Sequence, residues 1–153
     1  MSIDNALAQM QRLVGAGPLV SHWFVMDQDR IDAFADVTED RQFIHTDPAA
    51  AAQTPFGGTI AHGLLTLSML SAMYESAATM PEGLTQAVNY GYNRIRFVSP
   101  VPAGARIRGQ FALTSVTREN THLTQVMGVT VEIENRDRPA LVAEWINRLY
   151  FAQ

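Results

Sequence analysis

Residues 57–70 read GGTIAHGLLTLSML, and this stretch decides the fold. Pro55-Phe56-Gly57-Gly58 makes a tight loop, after which apolar residues recur nearly all the way round a helical projection, from Ala61 to about Ala78. A helix that is apolar on every side has to be enclosed by other structure rather than laid on a surface. Thr66, Ser68 and Ser71 interrupt the run, which falls short of the roughly 18 to 20 apolar residues that cross a bilayer. The pattern therefore predicts a buried central helix and no membrane anchor.

The enclosing structure is predicted from the second half of the chain. Residues 105–116, 122–134 and 140–151 alternate as strands do, with turn residues at 118–120 and 135–139. They read as an antiparallel meander. Leu123, Met127, Val129, Val131 and Ile133 fall in phase, interrupted by Gln125, so one face of that strand belongs to a core. In the last strand both faces are largely apolar, which predicts cover on both sides. Residues 86–98 supply a further strand, and Pro100, Pro102 and Gly104 bend the chain before the meander.

Upstream, Ile3, Leu7, Met10 and Leu13 or Val14 predict a short surface helix within an N-terminal extension over residues 1–17. Residues 19–26 suit a strand. Asp27 suits the N-cap of a helix that delivers Asp40 from its C-terminal end, and Asp47-Pro48 suits a second helix start. The expectation is an α+β single domain over residues 1–153, an antiparallel sheet of about five strands wrapped around one long helix: the hot-dog arrangement.

Composition narrows the function. A chain of 153 residues, 47% hydrophobic, suits one domain with a sizeable core. With 17% charged residues and a net charge of −4 there is no basic face for nucleic acid or an anionic membrane surface. The lack of cysteine removes disulfide scaffolds, thiolate nucleophiles and Cys-ligated zinc together. The first 18 residues lack a basic n-region with a continuous apolar stretch, so no export signal is expected and the expected location is cytoplasmic.

Chemistry concentrates in TEDRQFIHTDP, residues 38–48, where Asp40 and His45 stand five residues apart. Beside them the first turn of the central helix carries Gly63, whose free backbone N–H and the positive end of the helix dipole favour an anion. A carboxylate and an imidazole around one water can supply the base that takes a proton from water and the acid that protonates carbon, while a backbone donor holds an enolate oxygen. Asp40 as main base with His45 relaying the proton, and the reverse division, are equally open at this point.

The run from Asp40 to Pro48, together with Phe56-Gly57-Gly58-Thr59-Ile60-Ala61-His62-Gly63, resembles the signature of MaoC-like (R)-specific enoyl-CoA hydratases, in particular their NodN-like branch. Asn89-Tyr90-Gly91, residues 94–97 and residues 100–104 extend the resemblance over most of the chain. It implies reversible addition of water across trans-2-enoyl thioesters of CoA or an acyl carrier protein, and a homodimer in which two sheets join into one. By position it implies Asp40 and His45 as catalytic dyad, the Gly63 amide as oxyanion donor and Ser71 as support for the acidic member. Gln42-Phe43 stands where many members have Asn-Pro, which makes Gln42 a supporting candidate bearing on acyl-chain preference.

Each residue also has a plainer reading. His45 could be a hydrogen-bonded structural histidine, Asp40 a helix end, and Ser71 a small polar residue bonded to the preceding turn. Asp47 reads as an N-cap, and His62 as a local hydrogen-bonding or packing residue. Gly57 and Gly58 lack the Lys-Ser/Thr pair of a phosphate loop. Asp40, His45, Asp47 and His62 have metal-ligand chemistry without a recognised spacing, so no metal and no cofactor are expected. Arg94, Arg96, Arg106 and Arg108 are candidates for meeting carrier phosphates, but at alternating strand positions they read more simply as a solvated face. A hot-dog thioesterase and a noncatalytic acyl-thioester binding module are the competing functions; His45 beside Asp40 favours proton shuttling on an alkene.

Overall fold

The computed structural model describes residues 2–152. Helix α1 (Ile3–Gln11) starts at Ser2, whose side chain accepts from the Asn5 N–H. Its Ala6 and Met10 are buried with Val116, Leu123, Leu149 and Phe151 at one end of the sheet, whereas Leu13 and Val14 beyond it stay exposed.

Residues 19–26 form two short strands rather than one, β1 (Leu19–Val20) and β2 (Phe24–Met26). Ser21 causes the break. Its N–H donates to the Gly109 carbonyl, while its hydroxyl oxygen, not its carbonyl, accepts from the Gly109 N–H at 2.9 Å. One side chain thus takes over a rung of the ladder.

Helix α2 (Gln28–Thr38) is capped by Asp27, whose carboxylate accepts from the Arg30 N–H at 2.9 Å. Two single turns follow, α3 (Phe43–Thr46) and α4 (Pro48–Ala51). Asp47 caps α4 by accepting from the Ala49 and Ala50 N–H groups, each at 3.0 Å, as the Asp-Pro pair predicts.

The central helix begins at Gly63, not Ala61, and runs as α5 (Gly63–Ser68) and α6 (Leu70–Ala77). Met69 separates them with ψ of −10°, yet the Met69 and Met73 N–H groups still reach the carbonyls four residues back, so the two pieces are nearly continuous. Leu65, Leu70 and Met73 are buried against the sheet. Leu64, Ser68, Ser71 and Ala72 are exposed, so one side of this helix is uncovered in the single chain, contrary to the all-round enclosure its composition predicts.

The sheet has six strands, with β3 (Leu84–Phe97), β4 (Ala105–Glu119), β5 (His122–Ile133) and β6 (Leu141–Phe151) completing the set. Its order is β1-β4-β5-β6-β3, with β2 also on β4, and all pairings are antiparallel. The meander β4-β5-β6 is as predicted. Along β5 the burial alternates residue by residue, as its in-phase apolar side chains require. On β6 the outer-facing Val142, Ile146 and Tyr150 are half-buried rather than covered.

Because β3 lies against β6, the chain must return across the sheet to start β4. That return, residues 98–104, passes in front of the helix start. Its Val101 carbonyl accepts from the Ala61 N–H at 2.8 Å, and its Ala103 N–H donates to the Thr59 carbonyl at 2.9 Å. The segment leading into the central helix is thereby fixed on one side by the crossover. An antiparallel sheet curled around a central helix in one domain is the hot-dog fold.

Candidate active site

The other side of that segment holds the imidazole. Ile60 donates its N–H to the Ile44 carbonyl at 3.0 Å and accepts from His45 Nδ1 at 2.7 Å. A carbonyl only accepts, so Nδ1 carries the proton and Nε2 of the neutral ring is left with a bare lone pair. His45 is 8% exposed, seated on the single turn α3.

Gln28 holds this arrangement from the start of α2. Its Nε2 donates to the His45 carbonyl at 2.7 Å and to Asp32 Oδ1 at 2.8 Å, while its Oε1 accepts from the Thr59 hydroxyl. One side chain ties α2, α3 and the helix-entry segment together. Nothing in the sequence marks Gln28 for this role, because two of its three partners, His45 and Thr59, lie 17 and 31 residues away.

Asp40 leaves the end of α2 through Glu39, which adopts the left-handed conformation at φ 61°. Its carbonyl accepts from His62 Nε2 at 2.9 Å. The His62 ring in turn stacks on His45, with centroids 3.8 Å apart and 25° between planes. A carboxylate oxygen of Asp40, a ring nitrogen of His45 and a ring nitrogen of His62 lie within 4.8 Å of one another. The structure thus brings the Asp-His pair together, and His62 with it. His62 does hydrogen-bond and pack, as its plainer reading expects, but not locally: its partners are 22 and 17 residues away and are the pair itself. Its Nδ1 is buried without a partner among the described residues.

Three such groups raise the question of a metal. An ion about 2 Å from a histidine nitrogen lies close to the plane of that ring. Two rings stacked nearly parallel at 3.8 Å cannot both satisfy that condition for one ion. The geometry suits a bridging water better than a shared cation.

His45 and Gly63 share the wall of a cavity of about 240 Å³ whose lining also includes Thr66, Phe97, Ser99 and Val101. Gly63 opens α5, so its N–H has no partner within the helix. A side chain there would meet the Phe97 ring at 3.0 Å. Phe97 belongs to residues 94–97, which carry the resemblance without a site role, and Thr66 lies outside the stretches that carry it. The glycine beside a strand-end aromatic is explained only by the close approach of β3.

The remaining candidates sit differently. Gln42 occupies the N-cap position of α3 without a side-chain cap, and contributes its carbonyl, which accepts from the His45 N–H at 2.9 Å. Ser71, eight residues beyond Gly63, is exposed and lines a separate, larger cavity; among the described residues no hydrogen bond joins it to Asp40.

Comparison with known proteins gives the family. Residues 9–135 match the MaoC like domain. The chain is 49% identical over 150 residues to Nodulation protein N of Rhizobium leguminosarum bv. viciae, covering 97% of this chain and 93% of that one. It is 43% identical over 149 residues to 3-hydroxyacyl-thioester dehydratase Z of Mycobacterium tuberculosis, covering 97% and 98%. In fold it is similar to the (R)-hydratase from A. caviae involved in PHA biosynthesis, with a TM-score of 0.71 at 23% identity over 87% of this chain and 96% of that one. Nearly full-length similarity at these identities places the protein in the MaoC-like dehydratase family.

Proposed function

We propose that the protein is a hydro-lyase that adds water reversibly to trans-2-enoyl thioesters, giving (R)-3-hydroxyacyl thioesters. The observation that carries the reading is the tautomer of His45. With Nδ1–H committed to Ile60, Nε2 is left as the ring's proton acceptor, and a ring nitrogen of His45 lies within 4.8 Å of an Asp40 carboxylate oxygen, a span that one water bridges. The named activities of the relatives, a 3-hydroxyacyl-thioester dehydratase and an (R)-hydratase, support the same chemistry.

In the forward direction the bridging water gives a proton to the dyad as its oxygen bonds to C3. The C2–C3 π electrons move onto the thioester, and the carbonyl becomes an enolate oxygen. The Gly63 N–H donates to that oxygen, where removing one preorganised donor typically raises a barrier by about 3 to 4 kcal/mol. The proton then passes from the dyad to C2, and the enolate collapses to the saturated thioester. Water is consumed whole and no other reactant is required. His62 contributes by holding the Asp40 backbone and the face of the His45 ring.

A homodimer completes the proposal. Strand β3 is an outer edge of 14 residues, mostly exposed and carrying Val88 and Tyr90. Such an edge is ready to pair with another strand, and a second copy of β3 extends the sheet.

The experiment is direct. Crotonyl-CoA should lose its conjugated enoyl absorbance without release of free thiol, and an (R)-specific coupled assay should consume the product. Thiol release with the alkene intact would make the protein a thioesterase instead, and silence in both signals over a range of acyl lengths would overturn the enzymatic reading.

A further inference from the structure

The larger cavity is separate from the dyad. It has a volume of about 330 Å³ and lies between α1, α6 and the inner face of the sheet, with Met10, Leu13, Tyr74 and Trp145 among its walls. Those walls are mostly apolar; Ser71, Glu75 and Thr79 are polar residues of the helix side, and a polar row crosses the sheet opposite them. Gln125 of β5 stands directly opposite Asn147 of β6, and Asn147 directly opposite Asn89 of β3. Three carboxamides therefore form a row on neighbouring strands, and all three line the cavity.

Asn89 is provided for, since its Oδ1 accepts from Trp145 Nε1 at 2.9 Å. The other two are not. Gln125 is 2% and Asn147 5% exposed, and Gln125 Oε1 and Asn147 Nδ2 have no partner among the described residues. Buried polar atoms left unpaired are costly and uncommon in native chains. Here one lacks a donor and its cross-strand neighbour lacks an acceptor, so a single group with both functions satisfies the two at once.

We propose that this cavity binds an apolar chain bearing one hydroxyl, with Gln125 Oε1 accepting from that hydroxyl and Asn147 Nδ2 donating to it. A hydroxyl is the smallest group carrying a donor and an acceptor on one atom. A water molecule has the same functions but leaves the apolar volume empty, and that volume falls in the range of small-molecule sites. Two sources fit the chemistry: the far part of the substrate's own acyl chain, or a separate alcohol. The first source rests on the hydratase reading, since Ser71 and Tyr74 of the cavity wall belong to the same nearly continuous helix pair as Gly63; the binding itself does not.

The test uses the intact protein with 1-octanol and, as a control that accepts but cannot donate, 1-methoxyoctane. Calorimetry should show the alcohol binding at least fivefold more tightly than the ether. The preference should vanish in Gln125→Leu and in Asn147→Leu, which keep the bulk and remove the polar atoms. In the unaltered chain, the side-chain amide NMR signals of Gln125 and Asn147 should shift with alcohol and not with ether, a readout that survives if either variant fails to fold. Absence of binding, equal affinity for both probes, or a preference that persists in both variants overturns the proposal and leaves water as the occupant. Inhibition of turnover on an eight-carbon but not a four-carbon enoyl thioester assigns the site to the acyl chain; binding without inhibition of either assigns it to a separate alcohol. Because calorimetry and NMR need no turnover, failure of the hydratase reading leaves them interpretable.

Discussion

At the residue scale the proposed chemistry depends on where two protons can go. Asp40→Asn keeps the size of the side chain but removes the basic carboxylate that can take a proton, and His45→Ala removes the Nε2 lone pair that the Ile60 carbonyl exposes. Each should lower kcat about 10²- to 10⁴-fold with the circular dichroism spectrum unchanged. Retention of near-normal turnover by both would dismiss the dyad. Gly63 is a different kind of position, since its N–H survives substitution. Gly63→Ala drives a methyl into the Phe97 ring, from which the added carbon would stand only 3.0 Å. Overpacking of that sort costs about 1 to 3 kcal/mol. Gly63→Ala should therefore lower the urea midpoint, and adding Phe97→Leu should recover most of the loss. A double variant no more stable than Gly63→Ala would show that Phe97 is not the reason for the glycine.

At the element scale, what was legible in the sequence was whatever depends on neighbours in the chain. The Asp47-Pro48 cap, the Asp27 cap and the in-phase apolar residues of β5 follow from local spacing, and the structure has all three. What was not legible depends on distant partners. The split between β1 and β2 is made by Ser21 reaching Gly109, 88 residues away, and the stacking of His62 on His45 is made by the crossover that pins residues 59–61. The apolar composition of the central helix also overstated its enclosure, because Leu64 is 60% exposed in the single chain. Gln28 joins α2 to α3 and to the helix-entry segment through two of its three hydrogen bonds, so its loss should be felt at the site without touching substrate. Gln28→Leu should cost about 2 to 4 kcal/mol in urea unfolding, through partners left unpaired. It should also reduce kcat, whereas a change confined to stability would mean that α3 holds His45 unaided.

At the scale of the whole molecule, an unusual simplicity in composition allows a clean test of the core. The 11 basic residues are all arginine and there is no lysine or cysteine, so between about pH 9 and 12 tyrosine is the only side chain that titrates. Of the four tyrosines, Tyr74 and Tyr92 have their pKa raised above the ordinary value of 10.0 by burial, and for Tyr74 the bond from Gln125 opposes part of that rise. Below about pH 10 both phenols are protonated in folded and unfolded chains alike, so they give stability no pH dependence. Above it the unfolded chain releases these protons first. It then holds fewer protons than the folded chain, and the free energy of unfolding falls as pH rises, until the raised folded pKa values are passed. The urea midpoint should accordingly be level from pH 8 to about pH 9.5 and decline beyond it. Tyr74 stands between the Phe111 and Trp145 rings, so its late ionisation reports on the packing of helix α6 against the sheet. Tyr74→Phe combined with Tyr92→Phe should flatten the decline, because phenylalanine keeps the ring and has no proton to lose. An equally steep decline in the double variant would place the alkaline weakness outside the helix–sheet core.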